Sequence, residues 1–128
     1  VTDYDTWRIV LGYDGPPISL NSRMKWQQSS RINRDLRAEA RYRSARIPRL
    51  AHADVTLDWV VVDKRRRDED NMFATLKPLA DGLVDAGIVP DDTPEYMAKR
   101  CRIRYVPRSE GGFPHLELIV VGRPLVIV

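Results

Sequence analysis

Short stretches of alternating apolar and polar residues lie near both ends and in the middle of this chain, and two longer stretches repeat at helical spacing. The clearest alternation is ADVTLDWVVVD, residues 53 to 63. Val55, Leu57, Trp59 and Val61 share one face, Asp54, Thr56 and Asp58 the other, and Val60 and Val62 make the end apolar on both sides. A strand buried on both sides near its end belongs in the centre of a sheet. A first strand is predicted over WRIVLGY, 7 to 13, ended by Gly15, Pro16 and Pro17. Later, Cys101, Ile103 and Tyr105 alternate with Arg100, Arg102 and Arg104 over 100 to 106. A SEGG turn follows at 109 to 112 and the chain returns over 113 to 121, which predicts an antiparallel hairpin.

Residues 18 to 30 show no clean period and read as an ordered loop; Ser29 or Ser30 then caps a helix running to about Ala45, with Pro48 beyond it. Ile32, Leu36 and Ala40 form its apolar arc, and Arg31, Arg34, Arg37 and Arg41 occupy the opposite face. A second helix follows Asp70. Met72, Leu76, Leu79, Leu83 and Ala86 gather on one arc, while Asp70, Lys77 and Asp81 gather in a narrow stripe opposite. Gly87 ends it as a C′ residue, Pro90 forbids its resumption, and Pro78 inside it predicts a kink or a break. These elements make one α+β domain over residues 1 to 128, a small mixed sheet of about four strands with two main helices.

Composition narrows the class of partner. The net charge is only +3, but the cations are mostly arginine and grouped, and with a pI near 9.2 they form the footprint of a polyanion partner. One cysteine and two histidines exclude an internal disulfide and a zinc-type Cys/His cluster, and fit a reducing cytoplasm. No leader pattern opens the sequence, and the closing PLVIV is too short to span a bilayer, so no membrane partner is expected.

The chemistry concentrates in KRRRDEDNMFATLKPLADGLVDAGIVPDD, residues 64 to 92. Arg65, Arg66 and Arg67 run directly into Asp68, Asp70 and Asn71, and a second acidic pair, Asp91 and Asp92, follows the helix. Gathered carboxylates repel one another and raise each other's pKa unless a cation stands between them. Mg²⁺ removes that repulsion, taking one or two carboxylates and filling its other positions with water and phosphate oxygens. The adjacent arginines would bring the phosphate. In an extended segment Asp68 and Asp70 face the same side. Asp91 and Asp92 emerge at the other end of the helix and reach them only if packing folds the connection back.

This motif resembles the RusA family of Holliday-junction resolvases, small Mg²⁺-dependent endonucleases of phages and bacteria. The resemblance is dense over residues 64 to 92 and implies catalytic roles for Asp68, Asp70, Asp92 and Lys77, with Asp68, Asp70, Asp91 and Asp92 around the metal. It also implies Mg²⁺ as cofactor with Mn²⁺ as a substitute, branched DNA as substrate, action as a homodimer, and the cytoplasm of a bacterial or phage-infected cell. The family lysine commonly stands four residues after the second aspartate, where this chain has Ala74; Lys77 matches it only through an insertion of about one helical turn.

DNA contacts are expected from Arg65, Arg66, Arg67 and Asn71, from Arg31, Arg34, Arg37 and Arg41, and from Asn21, Arg23 and Lys25. The helix arginines serve equally as a solubilising face, with Asp35 and Glu39 in partial compensation. Trp26 either stacks on a base or covers the core. The arginines at 100, 102 and 104 face DNA, or solvent with salt-bridge partners such as Glu117 across the pair. His115 has no metal-ligand partner in sight and reads as a surface or pairing residue, and Asp63 as structural. The expected function is Mg²⁺-dependent hydrolysis of phosphodiesters in branched DNA. The alternatives are a non-catalytic branched- or single-stranded-DNA-binding protein and a metal-dependent phosphotransfer enzyme acting on a nucleotide or a small phosphate ester.

Overall fold

A computed structural model describes residues 3–20 and 23–125. The strands are β1 (Asp5–Leu11), β2 (Leu50–Val61), β3 (Met97–Tyr105) and β4 (His115–Pro124), and the helices α1 (Trp26–Arg43) and α2 (Phe73–Asp85). The strands form one mixed sheet in the order β1-β4-β2-β3. β2 runs antiparallel to β4 and parallel to β3, and β4 runs antiparallel to β1. The expected α+β architecture of four strands and two helices is therefore present.

The predicted hairpin is not. β3 and β4 are separated by β2, and residues 106–114 carry the chain across the end of that central strand. The glycines at the turn serve this crossing: Gly111 has φ 83°, and a Cβ on Gly112 would stand 1.8 Å from the Val106 carbonyl oxygen. Because β3 is parallel to β2, the segment joining them must cross over, and α2 with the acidic motif before it is that crossover.

Both helices cover one face of the sheet. Ile9, Leu11, Val55, Leu57, Leu116, Leu118 and Val120 meet Leu36 and Ala40 of α1 and Leu76, Leu79 and Leu83 of α2 in a single buried cluster. The apolar arcs read from the sequence are those that bury. α1 begins a turn earlier than expected. Lys25 is its N-cap, and Ser29 instead donates from Oγ to the Trp26 carbonyl at 3.0 Å. Trp26 is 76 % exposed, which removes it from the core. In α2 the predicted kink or break at Pro78 does not interrupt the helix, which runs unbroken through that buried proline. The ring deletes only the N–H that would bond the Ala74 carbonyl, one turn from the helix start, and burial of the apolar arc holds the rest. Gly87, at φ 82°, ends the helix as predicted: its N–H donates to Val84 O at 2.9 Å, and Ile88 N donates to Leu83 O at 3.3 Å.

Candidate active site

At its C-terminal end β2 delivers the chain to Asp63, whose carboxylate organises the arginine run. Its Oδ1 accepts the Arg65 N–H at 3.0 Å and the Arg65 Nε at 3.3 Å, and pairs with Arg67 at 2.9 Å. The backbone N–H first, and then these guanidiniums, hold its carboxyl below the usual range. Asp63 is structural, as expected. The three arginines, treated alike in the sequence, divide here. The Arg67 side chain is 11 % exposed, donates to the carbonyls of Asp63 at 3.2 Å and Arg65 at 3.1 Å, and lies 5.0 Å over the Trp59 ring. It builds the loop. Arg65, 80 % exposed, and Arg66 face solvent.

Asp68 caps the 3₁₀ turn that follows, Glu69–Met72, by accepting the Asp70 N–H at 3.0 Å. Asp68 and Asp70 are both exposed, and Asn71 donates its N–H to the Asp68 carbonyl at 3.3 Å. Together with Arg65 to Arg67 they line an open cleft of about 1120 Å³ whose other walls are Glu69, Met72, Trp59, Ile103, Pro16 and Ser19. Of the last two, Pro16 reads in the sequence only as the end of a strand and Ser19 only as part of an ordered loop, with no place in the site. Trp59 Nε1 donates to the Asp14 carbonyl at 3.2 Å, a Cβ on Gly15 would stand 3.0 Å from that ring, and Thr75 Oγ1 donates to Ile18 O at 2.6 Å. The Gly15-Pro16-Pro17 run beside a tryptophan on the central strand was the available signal.

Asp92 does not line this cleft. Its Oδ2 accepts Lys77 Nζ at 2.7 Å and Lys99 Nζ at 3.1 Å, and Lys77 also reaches Asp81 at 3.0 Å. The Lys77 hydrogen bond, then Lys99, bring the Asp92 carboxyl down to about 2 against the opposing effect of burial, and the same bonds raise Lys77. Asp91 turns its carboxylate onto the Asp92 N–H at 2.8 Å. Lys77 therefore joins Asp92, while Asp68 and Asp70 form a separate pair at the cleft. Among the described residues no group of three or more His, Cys, Asp or Glu side chains is arranged to hold a metal ion. The pair at the cleft is a hard-oxygen donor set that fits Mg²⁺ completed by water and phosphate; a cage of four protein carboxylates is not formed.

Strand β3 links the two halves. Its helix-covered face carries Lys99, Cys101 and Ile103 in succession, opposite Val55, Leu57 and Trp59 of β2. The Cys101 thiol is pushed up to about 12 by burial and then by the charges of Glu69 and Asp70, and the 3₁₀ turn that bears both acids packs against β3. No role for Lys99 was legible in the sequence. Its signal was a lysine on the otherwise apolar face of an amphipathic strand.

The helix arginines disperse. Arg37 forms a two-pronged pair with Asp85 at 2.5 and 2.8 Å, which raises its pKa. Arg34 and Arg37 line, with Asn33, Lys77 and Asp81, a groove of about 520 Å³ between α1 and α2. Arg41 lines a neighbouring groove beside Tyr42. Arg31 is exposed and lines neither, and Arg23 and Lys25 are exposed just before α1. Asn21 lies outside the described residues. Glu39 serves Arg43 at 2.9 Å and the Gly12 N–H at 3.2 Å, so it compensates none of the four. On the uncovered sheet face Arg102 and Arg104 turn onto Asp58, a fully buried carboxylate of β2, and Arg104 also bonds Glu117. The expected pairing with Glu117 exists, but it reaches over β2. His115 is nearly buried, its Nδ1 2.7 Å from the Phe113 carbonyl oxygen and its ring stacked on Phe113.

No family model and no curated protein matches this chain. Among solved structures, the crystal structure of hydrogenase maturation protein HypE aligns over 98 % of this chain and 33 % of its own, at 9 % identity and a TM-score of 0.34. The chain thus spans about a third of that protein, and a likeness this slight carries no argument about fold or function. No helix among the described residues is long and apolar enough to cross a membrane.

Proposed function

We propose that this protein is a Mg²⁺-dependent endonuclease that cuts branched DNA such as four-way junctions, acting as a homodimer in the cytoplasm. The observation that carries the reading is the cleft at the end of β2, where Arg65 and Arg66 stand exposed beside the exposed carboxylates of Asp68 and Asp70. Carboxylates alone would repel a DNA backbone, and arginines alone would only bind it. Side by side on a turn anchored by Asp63 and Arg67, they suit a phosphodiester brought to a divalent ion.

Bound Mg²⁺ supplies Lewis acidity to the attacking water and to the phosphate oxygens. The protein's part is to hold the ion through Asp68 and Asp70 and to grip the flanking phosphates through Arg65, Arg66 and Asn71. In the hydrolysis a water oxygen bonds to phosphorus as the bond to O3′ breaks. A 5′-phosphate and, once the leaving oxygen takes up a proton, a 3′-hydroxyl remain. Asp92, between its lysines, contributes a negative charge at the border of this site. Arg34, Lys25 and the groove between the helices extend the cationic surface outward.

Asp70→Asn tests the reading. It is nearly isosteric and removes one charge, so it should abolish cleavage while leaving junction affinity equal or tighter. Joint loss of binding and cleavage, with lowered thermal stability, would instead make Asp70 a folding residue. Binding without cleavage in the unmodified protein would favour the non-catalytic DNA-binding alternative.

A further inference from the structure

We infer that Lys99 is the lysine that faces the reacting phosphate, and that Lys77 closes the outer side of Asp92; this rests on the nuclease reading above. Both ammonium groups hold the same oxygen, Asp92 Oδ2, at 3.1 and 2.7 Å, but they approach it from different elements. Lys77 projects from α2 and is 58 % exposed. It spends a second N–H on Asp81, one helical turn along, and lines the groove between the helices. Lys99 rises from β3 on the helix-covered face of the sheet, beside Val55, and is 29 % exposed. Among the described residues it donates to Asp92 alone, so two of its three N–H groups stay available.

Position along the strand makes those donors useful. Cys101 is two residues beyond Lys99 on the same face, about 7 Å along the strand. The 3₁₀ turn bearing Glu69 and Asp70 packs on β3, and Ile103, the next residue on that face, forms a wall of the cleft. Lys99 thus stands on the strand that joins Asp92 to the Asp68–Asp70 pair. Lys77 lies beyond Asp92, on the side of the α1–α2 groove. A partly desolvated ammonium with free donors, on the strand against which the acidic turn packs, suits charge developing on a phosphate oxygen.

Lys99→Met and Lys77→Met, which keep most of the apolar stem, separate the two lysines. Single-turnover cleavage of a synthetic four-way junction with Mg²⁺ should fall by about 10² to 10³ in Lys99→Met and by less than about tenfold in Lys77→Met. Junction affinity without metal should stay within about threefold in both. Calorimetric titration with Mg²⁺ and no DNA adds a readout independent of cleavage. Losing the nearer cation should tighten Mg²⁺ severalfold in Lys99→Met and leave Lys77→Met unchanged. If Lys99→Met does not fold, Lys99→Arg decides: it keeps the charge but displaces the donors, and should slow cleavage tenfold or more. Near-normal cleavage in the Lys99 variants, or the larger loss in Lys77→Met, overturns the assignment while the nuclease reading stands. An unmodified protein that neither binds Mg²⁺ nor cuts overturns both.

Discussion

Residue by residue, the site divides into groups that build it and groups left free to act. Arg67 is held by two carbonyls, a carboxylate and an indole face, whereas Arg65 is mostly in water. Arg65→Gln should therefore lower the dependence of log junction affinity on log salt by about 0.9 and leave thermal stability unchanged. Arg67→Gln should cost about 1–3 kcal/mol of stability, read by urea denaturation, because it strips donors from a half-buried loop. The Asp92 network makes a pH prediction. Its carboxyl titrates at about 2 rather than 3.8, so its contribution is complete above the ordinary value and disappears as pH falls through about 2. Lys77, raised above 10.5, contributes fully below that value and loses its share as pH rises through its raised value. The stability difference between the protein and Asp92→Asn should accordingly be level between about pH 5 and 9 and close toward pH 2. A difference that persists at pH 2 would remove the ion pairs as its source. The acidic and basic residue types of the site were legible in the sequence. Which arginine is structural was not, because that follows from Trp59 lying beneath Arg67, a contact no spacing rule encodes.

Among the elements, those defined by local periodicity were readable and those defined by pairing were not. The apolar arc of α2, its glycine stop and the two-sided burial at the end of β2 are properties of neighbouring residues, and each appears in the fold. The partner of β3 depends on the whole sheet. A turn signal after an amphipathic strand suggested a hairpin, yet β2 occupies the place beside β3, where Asp58 accepts from Arg102 and Arg104. The same crossover carries Lys99 to Asp92. Gly82 tests the packing of the two helices. A Cβ there would stand 2.3 Å from the Arg37 carbonyl oxygen and 2.7 Å from the Ala40 Cβ, so the helices must part to admit it. Gly82→Ala should destabilise the protein by about 1–3 kcal/mol despite alanine's better helix propensity. An equal or higher denaturation midpoint would contradict the close approach.

For the molecule as a whole, the proposal is that the C-terminal end of β2 presents a cut site bordered by arginines and Lys99, and that two copies act on one junction. Two-fold symmetry suits a substrate cut twice in strands of like polarity, while each chain offers one such site. The apolar tail 125–128 and the segment around Met24 and Trp26 are the candidate contact surfaces. Leu125 and Trp26 are indeed exposed, at 48 % and 76 %, and residues 126–128 lie outside the described structure. Light scattering at micromolar concentration should give a mass near twice 14.7 kDa; a strict monomer that still makes both cuts without releasing the junction would end the dimer proposal. The most direct test of the central claim is nicking itself. A synthetic four-way junction and a linear duplex of matched sequence are incubated with the protein, with and without Mg²⁺. Paired nicks with 3′-hydroxyl and 5′-phosphate ends are expected in the junction alone, and only with the metal. An intact junction in the presence of Mg²⁺ or Mn²⁺, at protein concentrations that saturate binding, would contradict that claim.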